Sequence, residues 1–307
     1  MDRRYEIVII GGGPAGLSAG LYVGRARRRT LLIERVLVGG QMVNAELIEN
    51  YPGFPGGISG FELGQLMEQQ VRQYGVEVEM GDVPAIELRG REKVVRMSDG
   101  IYLAKALIIA GGCSHNKLGV PGEGKLSGRG VSYCATCDAA LYRGEVVAVV
   151  GGGDTAITDA LLLTRFARRV VVIHRRRELR ASRVLQERAF ASPGLEFVWD
   201  SVVESIEGDS QVKELRLCDV NSGERSSLPV GGVFVSVGLR PVTDYLDGLL
   251  TLAPGGYIVV NERLETEVGG IFAAGDIRLN SGRQIVTAAG DGATAALSAE
   301  RYLSEQS

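Results

Sequence analysis

Histidine occurs twice in these 307 residues, tryptophan once and cysteine four times. Cys113, Cys134, Cys137 and Cys218 are too few and too scattered to staple a chain of this size as a disulfide scaffold. Two histidines, His115 and His174, and a single C-x-x-C do not complete a four-ligand zinc site, so no metal centre is expected. Strong charge of one sign is also lacking. With a net charge of −3 there is no overall field to capture nucleic acid, although arginines cluster locally around Arg175. Long apolar runs are missing too: the N-terminal one meets three glycines too early to be a signal-peptide core or a bilayer span. A cytoplasmic protein with no membrane partner is the expectation.

Glycine is what the chain has in excess, with 43 residues, about twice the ordinary share. Many of them fall in an internal echo. EIVIIGGGPAG (6–16) and VVAVVGGGDTA (146–156) each run a β-branched strand through three glycines into a helical pattern. Ala15, Leu17, Ala19 and Leu21 mark the first helix; Ala156, Ile157, Ala160, Leu161 and Leu163 mark the second. A further apolar strand follows each, Thr30 to Glu34 and Val170 to His174. This is a βαβ unit twice over, with glycines where a phosphate approaches a helix N-terminus. Gly11-x-Gly13-x-x-Gly16 fits the dinucleotide fingerprint, and Gly151-x-Gly153-x-x-Ala156 its variant.

The strand ends distinguish the two nucleotides. Glu34 lies 23 residues past Gly11, where a carboxylate accepts hydrogen bonds from ribose hydroxyls. The same offset from Gly151 lands on His174, followed by Arg175, Arg176 and Arg177, with Arg180 beyond. Guanidinium groups bind a 2′-phosphate that a carboxylate would repel, so the second site reads as NADPH. A solvated basic helix start is the plain alternative.

HNKLGVPGEG (115–124) and GLRPVTD (238–244) read as linkers flanking the second unit. After them GGIFAAGDIR (269–278) leads into a helical pattern over about 285–303. The fold class is therefore α/β, with two Rossmann-like dinucleotide-binding domains, the second inserted into the first: 1–116 with 245–307, and 117–244.

YCATCDAA (133–140) places a thiol pair, Cys134 and Cys137, just ahead of the second glycine loop, with Asp138 directly after it. A redox-active pair is the main reading. Structural zinc and a purely structural disulfide remain as alternatives; the latter gains little from closing so short a loop. Thiol chemistry passes through the thiolate, and Asp138 is placed in sequence to manage the proton. Cys113 and Cys218 read as small buried apolar residues rather than further redox thiols, and His115 as a surface or linker residue rather than a base.

Together these segments resemble the low-molecular-weight thioredoxin reductases, which are flavoprotein disulfide reductases. GGGPAG at Gly11, GGQ at Gly39, ENYPGF at Glu49, KLGVPGE at Lys117, CATCD at Cys134, GGGDTA at Gly151, HRRRELR at His174, GIFAAGD at Gly270 and RQIVTAAGDG at Arg283 carry the resemblance over essentially the whole chain. It implies FAD on the first domain. Gly11, Gly13, Pro14, Ala15 and Gly16 would lie along the pyrophosphate, Glu34 at the ribose, and Gly40, Gln41 and Asn50 near the flavin. Asp276, Arg283, Gln284 and Ile285 would follow the ribityl chain and ring. On the second domain it implies NADPH at Gly151, Gly153, Asp154 and Thr155, with His174, Arg175, Arg176 and Arg180 on the 2′-phosphate.

The resemblance further implies a homodimer, with Cys137 the sulfur nearer the flavin and Cys134 attacking the disulfide of thioredoxin or a similar protein. The inserted domain would rotate so that dithiol and nicotinamide take turns at the flavin. IAGGC (109–113) departs from the family, where threonine and alanine are commoner. A flavin-dependent dithiol oxidase passing electrons to oxygen is the alternative enzyme, opposed by the intact HRRRELR. A non-catalytic redox sensor is the alternative outside catalysis, with no added interaction segment in its favour.

Overall fold

The computed structural model describes residues 3–45, 47–246 and 248–306. In chain order the strands and α-helices are β1 (Arg3–Ile10), α1 (Pro14–Arg25), β2 (Thr30–Glu34), α2 (Gly60–Gln73), β3 (Glu77–Met80), β4 (Ala85–Arg89), β5 (Glu92–Met97), β6 (Gly100–Ile109) and β7 (Cys113–His115). Next come β8 (Val131–Ser132), α3 (Ala135–Asp138), β9 (Val146–Gly151), α4 (Asp154–Leu163), β10 (Arg169–Ile173), α5 (Arg183–Ala191), β11 (Leu195–Val198), β12 (Ser201–Gly208), β13 (Val212–Asp219) and β14 (Arg225–Pro229). β15 (Gly232–Ser236), β16 (Leu239–Pro241), β17 (Ile271–Ala273) and α6 (Ile285–Glu305) complete the chain.

The chain divides into two compact units, residues 1–114 with 240–307, and residues 115–239. The crossings fall at 114/115 and 239/240 rather than at the 116/117 and 244/245 suggested by linker composition. Local hydrogen bonds explain the offset. Asn116 N–H donates to Gly238 O at 2.9 Å within the second unit, and Val242 N–H donates to Gly112 O at 3.1 Å within the first.

In the first unit β3, β2, β1 and β6 run parallel, and β17 adds to the C-terminal half of β6. The N-terminal half of β6 turns outward into an antiparallel ribbon with β5 and β4. On β1 successive side chains point to opposite faces, and from Ile7 to Ile10 all are buried: Ile7 and Ile9 join one core, Val8 and Ile10 the other. That two-sided burial, worth about 1.5–3 kcal/mol per large aliphatic side chain, is why the strand reads as a continuous apolar run.

The second unit repeats the plan with the parallel order β11-β10-β9-β15-β8, beside an antiparallel β12-β13-β14 sheet. α4 buries Ala156, Ile157, Ala160 and Leu163 against it, while Leu161 of the expected stripe is only partly buried. No helix among the described residues is long and apolar enough to cross a membrane.

Candidate functional site

In both units the strand order reverses beside the first strand of the βαβ motif. β2 and β6 flank β1, and β10 and β15 flank β9. Such reversals open a crevice beyond the C-terminal strand ends, where open α/β sheets take their ligands. The glycine loops lie at these two points.

Gly11 has φ +104°, and a Cβ there would stand 2.2 Å from Ala110 O. A Cβ on Gly16 would meet Gly11 O at 1.8 Å. These two residues therefore have to be glycine for the loop to sit on the sheet. Gly13 differs: among the described residues the only atom near its notional Cβ is Gly40 Cα, at 3.9 Å. Gly13 also caps α1 with no side-chain hydrogen bond, and Pro14 starts the helix. The start of α1 is thus left to an outside acceptor, the arrangement that suits a pyrophosphate.

Glu34, at the end of β2, accepts from Gly12 N at 2.7 Å and from Val36 N at 2.9 Å. Beside the loop Gly39 and Gly40 have positive φ, and Gly40 starts the 3₁₀ turn Gly40–Asn44. Gln41 Nε2 donates to Cys113 O at 3.4 Å. Asn50 Nδ2 donates to Gln284 Oε1 at 3.0 Å, and Gln284 caps α6, whose first residue is Ile285. Arg283 reaches Tyr257, with Nη2 2.8 Å from its hydroxyl. Asp276 accepts from Ser281 Oγ at 3.2 Å, and burial raises its pKa. The structure thus gathers Gly11–Gly16, Glu34, Gly40, Gln41, Asn50, Asp276 and Arg283–Ile285 within one unit. Cys113 is buried there as well; its Sγ donates to Asp276 O at 3.2 Å, and burial pushes the thiol pKa up to about 12.

In the second unit a Cβ on Gly153 would meet nothing within 4 Å, and Gly153 caps α4 without a side-chain bond. Asp154 turns aside, accepting from Ser182 N at 2.6 Å, while Thr155 is exposed on the first turn. His174 is buried: a Cβ on Gly152 would strike its ring at 2.5 Å, and Nε2 stands 3.1 Å from Glu178 O. Burial lowers its pKa, and Arg180, Arg175 and Arg176 lower it further. His174 thus underlies the loop as a neutral support.

Arg175, Arg176 and Arg180 are exposed, with no carboxylate partner among the described residues, whereas Arg177 is tied to Asp200 at 2.5 Å. Arg180 is brought to the loop by its own backbone, its N–H donating to Gly152 O at 2.7 Å. Three guanidinium groups without a carboxylate partner among the described residues, beside a helix start with no side-chain cap, have the charge and donors that suit a doubly charged anion.

Cys134 and Cys137 are joined in a disulfide. Cys134 is half-buried at the N-cap of α3; Cys137 is exposed, and its N–H donates to Cys134 Sγ at 3.2 Å. Asp138 Oδ2 accepts from the buried Ser132 Oγ at 2.7 Å, which fixes the carboxylate one residue from the sulfurs. Leu141 follows, 77% exposed.

The groups that hold these parts in place are not legible from the motifs alone. Asp291 accepts from Arg278 at 2.6 and 2.9 Å and from Gly275 N at 3.0 Å, bracing the segment on both sides of Asp276. Buried Glu123 accepts from Leu118 N, Gly119 N and Tyr133 Oη at 2.7–2.8 Å, just ahead of Cys134. His115 stands at the crossing into the second unit, as the linker reading has it, and is half-buried there, its ring centroid 6.3 Å from that of Tyr133, with burial lowering its pKa. RQIVTAAGDG and KLGVPGE contain Asp291 and Glu123, but only the long-range partners reveal their work.

The pyridine nucleotide-disulphide oxidoreductase family matches residues 5–292 of the chain. A thioredoxin reductase of Bacillus subtilis is 46% identical over 99% of this chain and 96% of its own. Lactococcus lactis thioredoxin reductase, in a crystal structure of its FR conformation, is 43% identical at a TM-score of 0.96, covering 98% of this chain and 99% of that one. The T. acidophilum thioredoxin reductase structure is 33% identical at a TM-score of 0.94, with both chains covered completely.

Proposed function

The chain belongs to the pyridine nucleotide-disulphide oxidoreductases, and from that premise we propose how its two units divide the work of a thioredoxin reductase. The enzyme is a flavoprotein that uses FAD and NADPH, and its reaction converts NADPH, a proton and the disulfide of thioredoxin into NADP⁺ and the dithiol. FAD, when bound, accepts two electrons from a nicotinamide and delivers two to a disulfide.

The first unit takes the FAD role. Gly11, Gly13, Pro14, Ala15 and Gly16 face the pyrophosphate, Glu34 the ribose, and Gly40, Gln41, Asn50, Asp276, Arg283, Gln284 and Ile285 the ribityl and flavin part. The uncapped start of α1 and the open side of Gly13 support this. The second unit takes NADPH on Gly151, Gly153, Asp154 and Thr155. Arg175, Arg176 and Arg180 hold the 2′-phosphate, and His174 supports the loop.

Cys134 and Cys137 carry the reducing equivalents. Reduction opens their S–S bond; the Cys134 thiolate attacks the partner disulfide, and Cys137 then displaces it, re-forming the bond and releasing the reduced partner. Asp138, held by Ser132, moves the proton that each thiol–thiolate change requires. The inserted unit turns about its two crossings so that dithiol and nicotinamide are served in sequence. We place the enzyme in the cytoplasm as a homodimer without membrane or nucleic-acid partners.

The single observation that carries the reading is a bonded Cys134–Cys137 pair sharing one unit with a glycine loop and three unpaired arginines. Anaerobic titration of the flavin-loaded protein with NADPH, and separately with NADH, tests it. NADPH should bleach the flavin and then yield two thiols that are absent in Cys134→Ser. A flavin reduced by dithiols but not by NADPH would favour the dithiol oxidase instead.

A further inference from the structure

A second segment of the first unit runs up to the start of α6. Ile258 N–H donates to Ile277 O at 3.1 Å, and Leu279 N–H donates to Ile258 O at 2.8 Å, so the chain around Ile258 lies in parallel register beside residues 276–279. Ile258 is fully buried, and its neighbour Tyr257, half-buried, meets Arg283. Arg283 Nη2 donates to the Tyr257 hydroxyl at 2.8 Å, and the guanidinium Cζ stands 5.3 Å from the ring centroid.

The backbone of Arg283 is strained. Its φ is +52°, a left-handed conformation that is unfavourable for a residue with a Cβ and persists only where the surroundings over-determine it. Two contacts do so here. At one end Arg283 N–H donates to Ser281 Oγ at 3.2 Å, and Ser281 Oγ in turn donates to Asp276 Oδ1 at 3.2 Å. At the other end Tyr257 takes the guanidinium. The next residue is Gln284, the N-cap of α6, which accepts from Asn50. Ordinary stacking of a surface arginine on a tyrosine needs no strained backbone. The strain therefore points to a need for the guanidinium in one place, between Asp276 and Gln284.

Charge supplies the need. No carboxylate among the described residues pairs with Arg283. Burial raises the pKa of Asp276 and of Cys113, and the Arg283 charge opposes both shifts, which puts the guanidinium within electrostatic reach of these two groups. Arg283 is also exposed, and an exposed arginine spreads its charge over many rotamers unless something confines it. A hydride from NADPH brings two electrons and one proton, leaving NADP⁺ and a flavin with one more negative charge. A cation fixed beside the flavin favours that reduced form.

We propose that Tyr257 is a positioning residue for flavin reduction: its ring and hydroxyl clamp the Arg283 guanidinium where the charge favours reduced over oxidised flavin. This rests on the reading of the first unit as the FAD site, with Arg283 at the flavin, and adds the residue that acts through it.

The test is the midpoint potential of the bound flavin, read by anaerobic equilibration with a reference dye. It is made on holoenzyme carrying Cys134→Ser and Cys137→Ser, so that the flavin alone takes electrons. Arg283→Met should favour oxidised flavin by about tenfold, a fall of about 30 mV for a two-electron couple. Tyr257→Leu should favour it by about fivefold, or about 20 mV. Tyr257→Phe keeps the ring face and loses the hydroxyl, and should cost about twofold. With Arg283→Met already in place, neither Tyr257 variant should lower the potential further. Flavin absorbance and the melting temperature verify that each variant is folded and loaded, and Tyr257→Phe carries the test if the leucine variant is not.

An equal fall from the Tyr257 variants with and without Arg283→Met would overturn the proposal, as would no fall in either. No fall from Arg283→Met itself would remove Arg283 from the flavin and the proposal with it. Failure of the unmodified chain to take up FAD would instead overturn the reading of the first unit.

Discussion

Glu34 Oε2 accepts a hydrogen bond from the Gly12 amide at 2.7 Å, and the same carboxylate accepts from Val36 N through its other oxygen at 2.9 Å. The residue assigned to the ribose therefore also ties the glycine loop to the end of β2. Hydrogen bonds to a charged group contribute about 1.5–3 kcal/mol each. Glu34→Ala should loosen FAD by at least about tenfold and lower the melting temperature of the flavin-free protein. Retained stability with weakened flavin binding would assign Glu34 to the ligand alone. Flavin fluorescence on dilution and thermal melts measure the two.

Asp138 is anchored by Ser132 rather than left free in solvent. Asp138→Asn should keep the disulfide and the flavin but lower turnover with thioredoxin by about 10²–10⁴. Flavin reduction by NADPH should be unchanged. Rapid-mixing measurement of the two half-reactions checks this, since slowing of both would point to a structural role.

The unpaired arginines predict a selective effect. Arg175→Ala with Arg176→Ala should raise KM for NADPH by about 10²-fold while changing that for NADH by less than about threefold. Steady-state kinetics with both nucleotides decide it, because equal effects would place the 2′-phosphate elsewhere.

Lys93 is 1% exposed, donates to Lys105 O at 2.9 Å and Arg91 O at 3.0 Å, and has no carboxylate partner among the described residues. Burial lowers its pKa from 10.5 to about 8. The unfolded chain therefore binds more protons than the folded one between those values, so stability should rise with pH across the window. Below pH 8 the cost of carrying the buried charge is fully present, on the order of 3 kcal/mol. Urea midpoints at pH 7.5, 8.5 and 9.5 should climb in the native chain and lose that slope in Lys93→Met.

Tyr245 has the one buried side-chain polar atom without a partner among the described residues, its hydroxyl lying against Gly111. Tyr245→Phe should raise stability by about 1 kcal/mol or more, read from denaturant midpoints. A fall would mean that a solvent molecule or ligand satisfies the hydroxyl.

Residues close in sequence were legible because the physics that fixes them is local. The two βαβ units follow from β-branched runs, glycine spacing and helical stripes, and the expected helix at 285–303 is α6, Ile285–Glu305. The 23-residue offset found Glu34 and His174 because strand and helix lengths keep the second strand end beside the loop. It did not reveal that His174 lies under Gly152 with its ring buried, since burial depends on the chain that covers it.

What the sequence by itself determined was the repeated dinucleotide plan, the thiol pair with its aspartate and the arginine-rich strand end, all set by residue type at short spacing. What only the tertiary structure decided were the long-range partners. Ser132 holds Asp138, Arg278 pairs with Asp291, Arg177 is taken by Asp200 while its neighbours stay unpaired, and Ser236 meets Asp159 across 77 residues. Hydrogen-bond geometry and desolvation are properties of groups brought together by the sheets, and no local pattern in the chain encodes which distant group will arrive.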